Sequence, residues 1–154
     1  SVGLGALTPM GVGRVWASFG RSWIRPLLSI RGDVGGFEPL GAGRARLSSG
    51  MAGGGVSFPV TAGLWAIQPG MEVLAGFSLA QGADFDRSFD HLRPRVSVVT
   101  GLDLWTPLPF LFSLQIEYVA VRTRLVTQDR LDVLDRPPFR AILSVGFGSF
   151  SRQK

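Results

Sequence analysis

His91 is the only histidine in the chain, and Asp84, Asp86, Ser88 and Asp90 lie just before it. An imidazole beside a hydroxyl and a carboxylate is the set used for general-base activation of a nucleophile. Such a set works only where a packed shell orients it, and nothing in this polar stretch supplies one, so a solvated loop is the expected reading. The same aspartates lack the glycine and closing glutamate of a calcium-binding loop. The run Gly53, Gly54, Gly55 is not followed by the Lys-Ser/Thr of a phosphate loop. With no cysteine, thiolate catalysis, disulfides and cysteine metal sites are excluded. No catalytic, metal-binding or cofactor-binding residue is expected.

A second group of chemically capable residues is spread along the chain at even spacing from apolar ones. Phe112, Leu114, Ile116, Tyr118 and Ala120 alternate with Ser113, Gln115 and Glu117. Val96, Val98, Thr100, Leu102 and Leu104 alternate with Arg95, Ser97 and Asp103, and Phe139, Ala141, Leu143, Val145 and Phe147 with Arg140 and Ser144. A period of two is the period of a β-strand. These alternations are long, and their apolar phase carries no Asp, Glu, Lys or Arg. A cation on a lipid face at mid-depth costs about 2 to 4 kcal/mol, so this segregation is what a bilayer enforces on a closed barrel.

A transmembrane helix is the competing explanation, because residues 47–71 contain no formal charge. Six glycines and two prolines in that window cost a helix about 1 and 3 kcal/mol apiece. Strands are therefore expected at residues 139–150, 110–125, 95–105, 71–80 and 56–67. Tight turns are expected at Thr106 to Pro109 and at Gln68, Pro69 and Gly70, with longer loops at 127–138 and 81–93. In the first fifty residues, strands at 2–7, 12–19 and 24–34 fit around turns at Thr8 to Gly11 and Gly20 to Ser22. The sum is an all-β, antiparallel up-and-down transmembrane β-barrel of eight strands, in one domain over residues 1–154. Glycines and prolines interleave with ordered alternation and so punctuate strands; they do not mark disorder. The chain begins at Ser1 without a basic and apolar leader, which fits a mature protein or a fragment.

In a barrel of this size the lumen is filled by side chains. The polar phase points Arg14, Arg31, Arg95 and Arg140 inward together with Asp33, Glu72, Asp103 and Glu117. Enclosed charges must be paired, and equal numbers of each sign permit it. Height above the short turns predicts a cluster of Glu117 with Arg95 and Arg140, within about 6 Å. Glu72 and Asp103 fall near the short turns with no evident basic partner. A paired, closed interior and a gate or narrow ion path are both compatible with this set.

The net charge is +5, and every basic residue but Lys154 is arginine. These arginines are dispersed, with no basic helix or aromatic stacking platform, so no nucleic-acid partner is expected. Arg44, Arg46, Arg87, Arg93, Arg122, Arg124, Arg130 and Arg136 would instead ring the outer mouth. Guanidinium groups there suit bidentate contact with phosphate, and lipopolysaccharide is a fitting partner.

The strands over residues 56–150, above all the last one with Leu143, Val145 and Phe147, make the chain resemble the small bacterial outer-membrane β-barrels, the class of the outer membrane protein A transmembrane domain. The resemblance is architectural and covers about two thirds of the chain. It implies residence in the bacterial outer membrane and insertion by a barrel assembly machinery. In that class the final strand usually ends on an aromatic residue. Phe150 is out of phase with Phe147 and is followed by Ser151 to Lys154, so a bulge or recognition through Phe147 is expected. The resemblance does not imply a reaction. A structural or loop-presenting role leads; a narrow channel or the C-terminal part of a larger pore is the alternative. A lipid A acyltransferase or deacylase using His91 and Ser88 is a third reading, and a soluble lipocalin-type barrel with inverted faces is the rival fold.

Overall fold

The computed structural model describes residues 2–6, 11–20, 22–40, 43–83, 90–121, 124–126, 133–135 and 138–150. Its strands are β1 (Val2–Ala6), β2 (Val12–Ser18), β3 (Arg25–Val34), β4 (Glu38–Leu40), β5 (Gly43–Ser57) and β6 (Val60–Ala62). They continue as β7 (Trp65–Ala83), β8 (Asp90–Trp105), β9 (Phe110–Val121), β10 (Arg124–Val126), β11 (Val133–Asp135) and β12 (Phe139–Ser149). Eight of these form a closed antiparallel ring in the order β1, β2, β3, β5, β7, β8, β9, β12. The ring shuts where β1 pairs with β12, Val2 opposite Ser149 and Ala6 opposite Val145. A piece of a larger pore would leave an open edge here, and among the described strands there is none. The short strands β4 and β6 pair with β5 and β7 and extend the ring, while β10 and β11 form a separate two-stranded sheet.

The alternation read from the sequence sorts the two faces. Along β9, Phe112, Leu114, Ile116 and Tyr118 are exposed, while Leu111, Ser113, Gln115, Glu117 and Val119 are buried. Leu143 is 66% exposed, whereas Glu117 in the centre is 0%. A soluble barrel would show the reverse, so the lipocalin-type alternative is overturned and the apolar surface is a lipid-facing band. Aromatic pairs bound it: Phe110 and Phe147 have ring centroids 5.1 Å apart near the short turns, and Tyr118 and Phe139 4.9 Å apart toward the other end. Between Phe110 and Tyr118 the strand climbs about 27 Å, or about 20 Å of bilayer at a 40° tilt.

The expected strand at 56–67 and the turn at Gln68 to Gly70 are corrected. The fourth barrel strand is β5, the chain reverses at Gly63 (φ 61°) and Leu64, and Gln68, Pro69 and Gly70 lie inside β7 opposite Asp103, Leu102 and Gly101. The alternation from Val56 to Ala66 crosses this reversal unbroken, which hides it. Pro69 fits in a strand because the β5 ladder ends at Ser57 opposite Gly70 and the β6 ladder starts at Val60 opposite Ile67. Two inward glycines let β5 lie close on β7. A Cβ on Gly53 would overlap the Val73 carbonyl oxygen, and one on Gly55 the Met71 carbonyl oxygen. The loop expected at 81–93 also shortens, since β7 runs to Ala83 and β8 starts at Asp90.

Candidate functional site

All eight charged residues expected in the lumen point inward. Those on β2, β3, β7, β8 and β9 are buried, and the Arg140 side chain on β12 is 11% exposed. They form two groups. Toward the longer connections, Glu117 receives Arg95 Nη2 at 2.8 Å on Oε1 and Arg140 Nε at 2.5 Å on Oε2. Arg140 Nη2 also reaches Asp33 Oδ2 at 2.6 Å, with Arg95 Nη1 at 3.5 Å from the same oxygen. Ser49 donates to Asp33 Oδ1 at 2.5 Å and accepts from Arg95 Nη1 at 3.1 Å. Glu117 and Asp33 are thereby held from several strands, which is what makes enclosed carboxylates tolerable.

Arg31 joins this group less well. Its Nη1 is 3.8 Å from Glu117 Oε2, and none of its three guanidinium nitrogens makes a hydrogen bond. It is the direct cross-strand partner of Arg14. Two like charges so placed repel, and their guanidinium groups run to different carboxylates.

The second group supplies the partner that the sequence reading lacked for Glu72 and Asp103. Arg14 spans both, Nη2 at 3.2 Å from Glu72 Oε1 and Nη1 at 3.5 Å from Asp103 Oδ2. Ser29 donates to Glu72 Oε2 and Ser113 to Asp103 Oδ1, each at 2.5 Å. Height along a strand could not reveal this pairing, because Arg14 reaches across the lumen to strands that are not its neighbours.

Below that group the lumen is stopped by apolar side chains. Trp16, Leu27, Ala66, Trp105 and Leu111 pack together, and Phe150 lies against them. The Trp105 ring is 6.2 Å from Trp16 and 5.8 Å from Phe150, centroid to centroid. Gln68 ties the plug to the polar lumen: its Oε1 accepts from Trp105 Nε1 at 3.1 Å and its Nε2 donates to Ser57 Oγ at 2.9 Å. Phe150 lies just past the end of β12 and turns under the barrel, whereas Phe147 stays on the lipid face, 58% exposed.

Several lumen residues went unread in the sequence. Arg25 is buried at the short-turn end, its guanidinium carbon 5.6 Å from the Phe150 ring centroid. It shares the phase of Arg31 and Asp33, and that was the available signal. Gln68 is also enclosed, hidden by its assignment to a turn, whereas Gln115 is buried as its place on the polar phase of β9 implies.

Of the expected rim, Arg44 and Arg46 sit near the start of β5, on the phase opposite to the buried Ala45 and Leu47. Arg46 Nε donates to Gln81 Oε1 at 2.7 Å, and its guanidinium lies 4.8 Å from the Phe37 ring centroid. Arg93 is exposed near the start of β8. Arg87, Arg122, Arg130 and Arg136 lie outside the described residues, as do Asp84, Asp86 and Ser88. The side chains of Arg124, Asp90 and His91 lie outside them as well.

No family model matches the chain, and no curated protein matches it by sequence. Its structure is similar to the crystal structure of Ail, the attachment invasion locus protein of Yersinia pestis, with a TM-score of 0.60. The match is 14% identical in sequence and covers 95% of this chain and 93% of that one. The outward apolar band, the enclosed charges, the closed ring and this likeness agree: the chain has the fold of the small bacterial outer-membrane β-barrels.

Proposed function

We propose that the chain is an integral outer-membrane barrel with a structural or loop-presenting role and no enzymatic one. The observation that carries this reading is the obstructed lumen: two ion-paired groups and an aromatic plug lie in it one behind the other. A path for solutes would have to break the buried ion pairs and displace Trp105 and Phe150. The connections also differ between the ends. Ring strands are joined by residues 19–24, 58–64 and 106–109 at one end, and by residues 7–11, 35–42, 84–89 and 122–138 at the other, where the two longest connections lie. The name of the similar protein, an attachment invasion locus protein, supports surface contact as the use of the longer connections.

The rim forms a second part of the proposal. Arg44 and Arg46 leave the barrel on the lipid side at the height where the band ends, a position suited to phosphates of lipopolysaccharide. Insertion by the barrel assembly machinery belongs to the same proposal.

The test is made in two arms. Purified, folded protein in planar bilayers is expected to give no single-channel steps; steady conductance would establish the channel alternative. In the native host lacking this chain, the barrel with residues 84–89 and 127–132 replaced by Gly-Ser is then compared with the native one. Restored envelope resistance without restored surface contact indicates loop presentation over a structural scaffold, and a lipid A mass shift that depends on His91 would overturn the non-enzymatic reading.

A further inference from the structure

The apolar surface does not stop at the lower edge of the lipid band. Beyond Phe110 and Ile67 come residues 106–109, which join β8 to β9, and 58–64, which join β5 to β7, and none of them is charged. Leu64 and Leu108 in these two connections are 59% and 64% exposed. Between them and the end of β12 lies a cleft of about 310 Å³, lined chiefly by Leu64, Ala66, Trp105, Pro107, Leu108 and Phe150. We propose that this cleft binds one acyl chain of a phospholipid from the leaflet at the short-turn end.

Depth, chemistry and size agree on the occupant. Phe110 and Tyr118 lie about 20 Å apart along the bilayer normal, whereas the apolar band of such barrels is about 25 Å tall. Leu108, two residues beyond Phe110, therefore falls at the boundary between hydrocarbon and headgroups, and the cleft continues the lipid-facing surface under the barrel. Covering its exposed apolar side chains with hydrocarbon releases the water there. No residue of the lining is charged, and two of its polar groups are already engaged. Trp105 Nε1 donates to Gln68 Oε1 at 3.1 Å, and Thr106 Oγ1 donates to the Leu108 carbonyl oxygen at 3.0 Å. The site thus selects the chain and is indifferent to headgroup charge, unlike the arginine rim at the opposite end. Small-molecule sites occupy about 300 to 1,000 Å³, so this volume suits a single chain and is too small for a folded partner. The walls are set in advance: Gly148 N donates to Pro109 O at 3.1 Å, and Pro107 and Pro109 stiffen the turn. The inference rests on the barrel's place in the membrane and is independent of how its longer connections are used.

The experiment is intermolecular NMR on the folded full chain, deuterated except at methyl groups and tryptophan rings, in nanodiscs of protonated phosphatidylcholine. Ala66 and Trp105 are buried on the lumen side, so cross-peaks from acyl-chain methylenes to the Ala66 methyl and the Trp105 ring require a chain in the cleft. Both are expected. Leu114 on the lipid face is the positive control, and Leu74, fully buried in the lumen, the negative one. Nanodiscs of phosphatidylglycerol should give the same cross-peaks. In Leu108→Asp those to Ala66 and Trp105 should be lost while those to Leu114 persist. The site is overturned if neither Ala66 nor Trp105 of the native chain shows a cross-peak to acyl chains, or if the cross-peaks appear with one headgroup alone. Their undiminished survival in folded Leu108→Asp overturns it as well. Should that variant not fold, the native spectra in the two lipids decide.

Discussion

Glu117 on β9 and Arg140 on β12 stand directly opposite each other in the sheet, and Arg140 Nε lies 2.5 Å from Glu117 Oε2. Among the described residues this is the pair in which register alone sets two opposite lumen charges side by side; Arg95 reaches Glu117 from the neighbouring strand, and the remaining bridges are made by long side chains crossing the interior. Replacing Glu117 by Gln leaves Asp33 alone to face Arg95, Arg140 and Arg31. We expect a loss of about 3 to 5 kcal/mol in urea unfolding followed by tryptophan fluorescence. A double-mutant cycle with Arg140→Met should show that much of this cost is the stranded cation. Unchanged stability in Glu117→Gln would remove the lumen pairing as a source of fold stability.

Arg31 should behave oppositely. Its guanidinium makes no hydrogen bond and stands next to Arg14 across the strand pair, so it contributes burial cost without full compensation. Arg31→Met is expected to be neutral or to stabilise by about 1 kcal/mol in the same assay, Glu117 keeping its bonds from Arg95 and Arg140.

The lipid face gives a sharper contrast between neighbouring positions. Leu114 is half exposed near the middle of β9, so Leu114→Arg should cost about 2 to 4 kcal/mol in vesicles. A near-neutral result would be incompatible with hydrocarbon at that position.

Gly53 and Gly55 allow β5 to approach β7 more closely than any side chain would permit. Gly53→Ala must move one backbone, so the heat-modifiable folded fraction should fall sharply. Gly50→Ala, where a Cβ meets nothing within 4 Å, should fold as the native chain does.

At the rim, Arg46→Ala is expected to weaken retention of lipopolysaccharide by about fivefold, the equivalent of roughly 1 kcal/mol for one hydrogen-bonded contact. The readout is co-purification from detergent at fixed salt, with Arg25→Gln, buried at the opposite end, as the control.

The amino-acid order determined the faces by itself: which side chains meet lipid, which charges are enclosed apart from Arg25, and that the strands would be antiparallel and eight in number around the barrel. It could do so because a strand places alternate residues on opposite faces, a rule needing no knowledge of any neighbour. It also brought Glu117 to the height of Arg95 and Arg140, since β8 and β9 are joined by a tight turn and β9 and β12 are neighbours around the ring. Only the tertiary structure decided that β5 and not residues 56–67 is the fourth strand, because alternation runs unbroken through the reversal at Gly63. It alone decided that Arg14 reaches both Glu72 and Asp103, and that Phe150 turns under the barrel onto Trp105. Those contacts depend on the stagger between strands and on the reach of long side chains across the lumen, and both are fixed only when the ring closes.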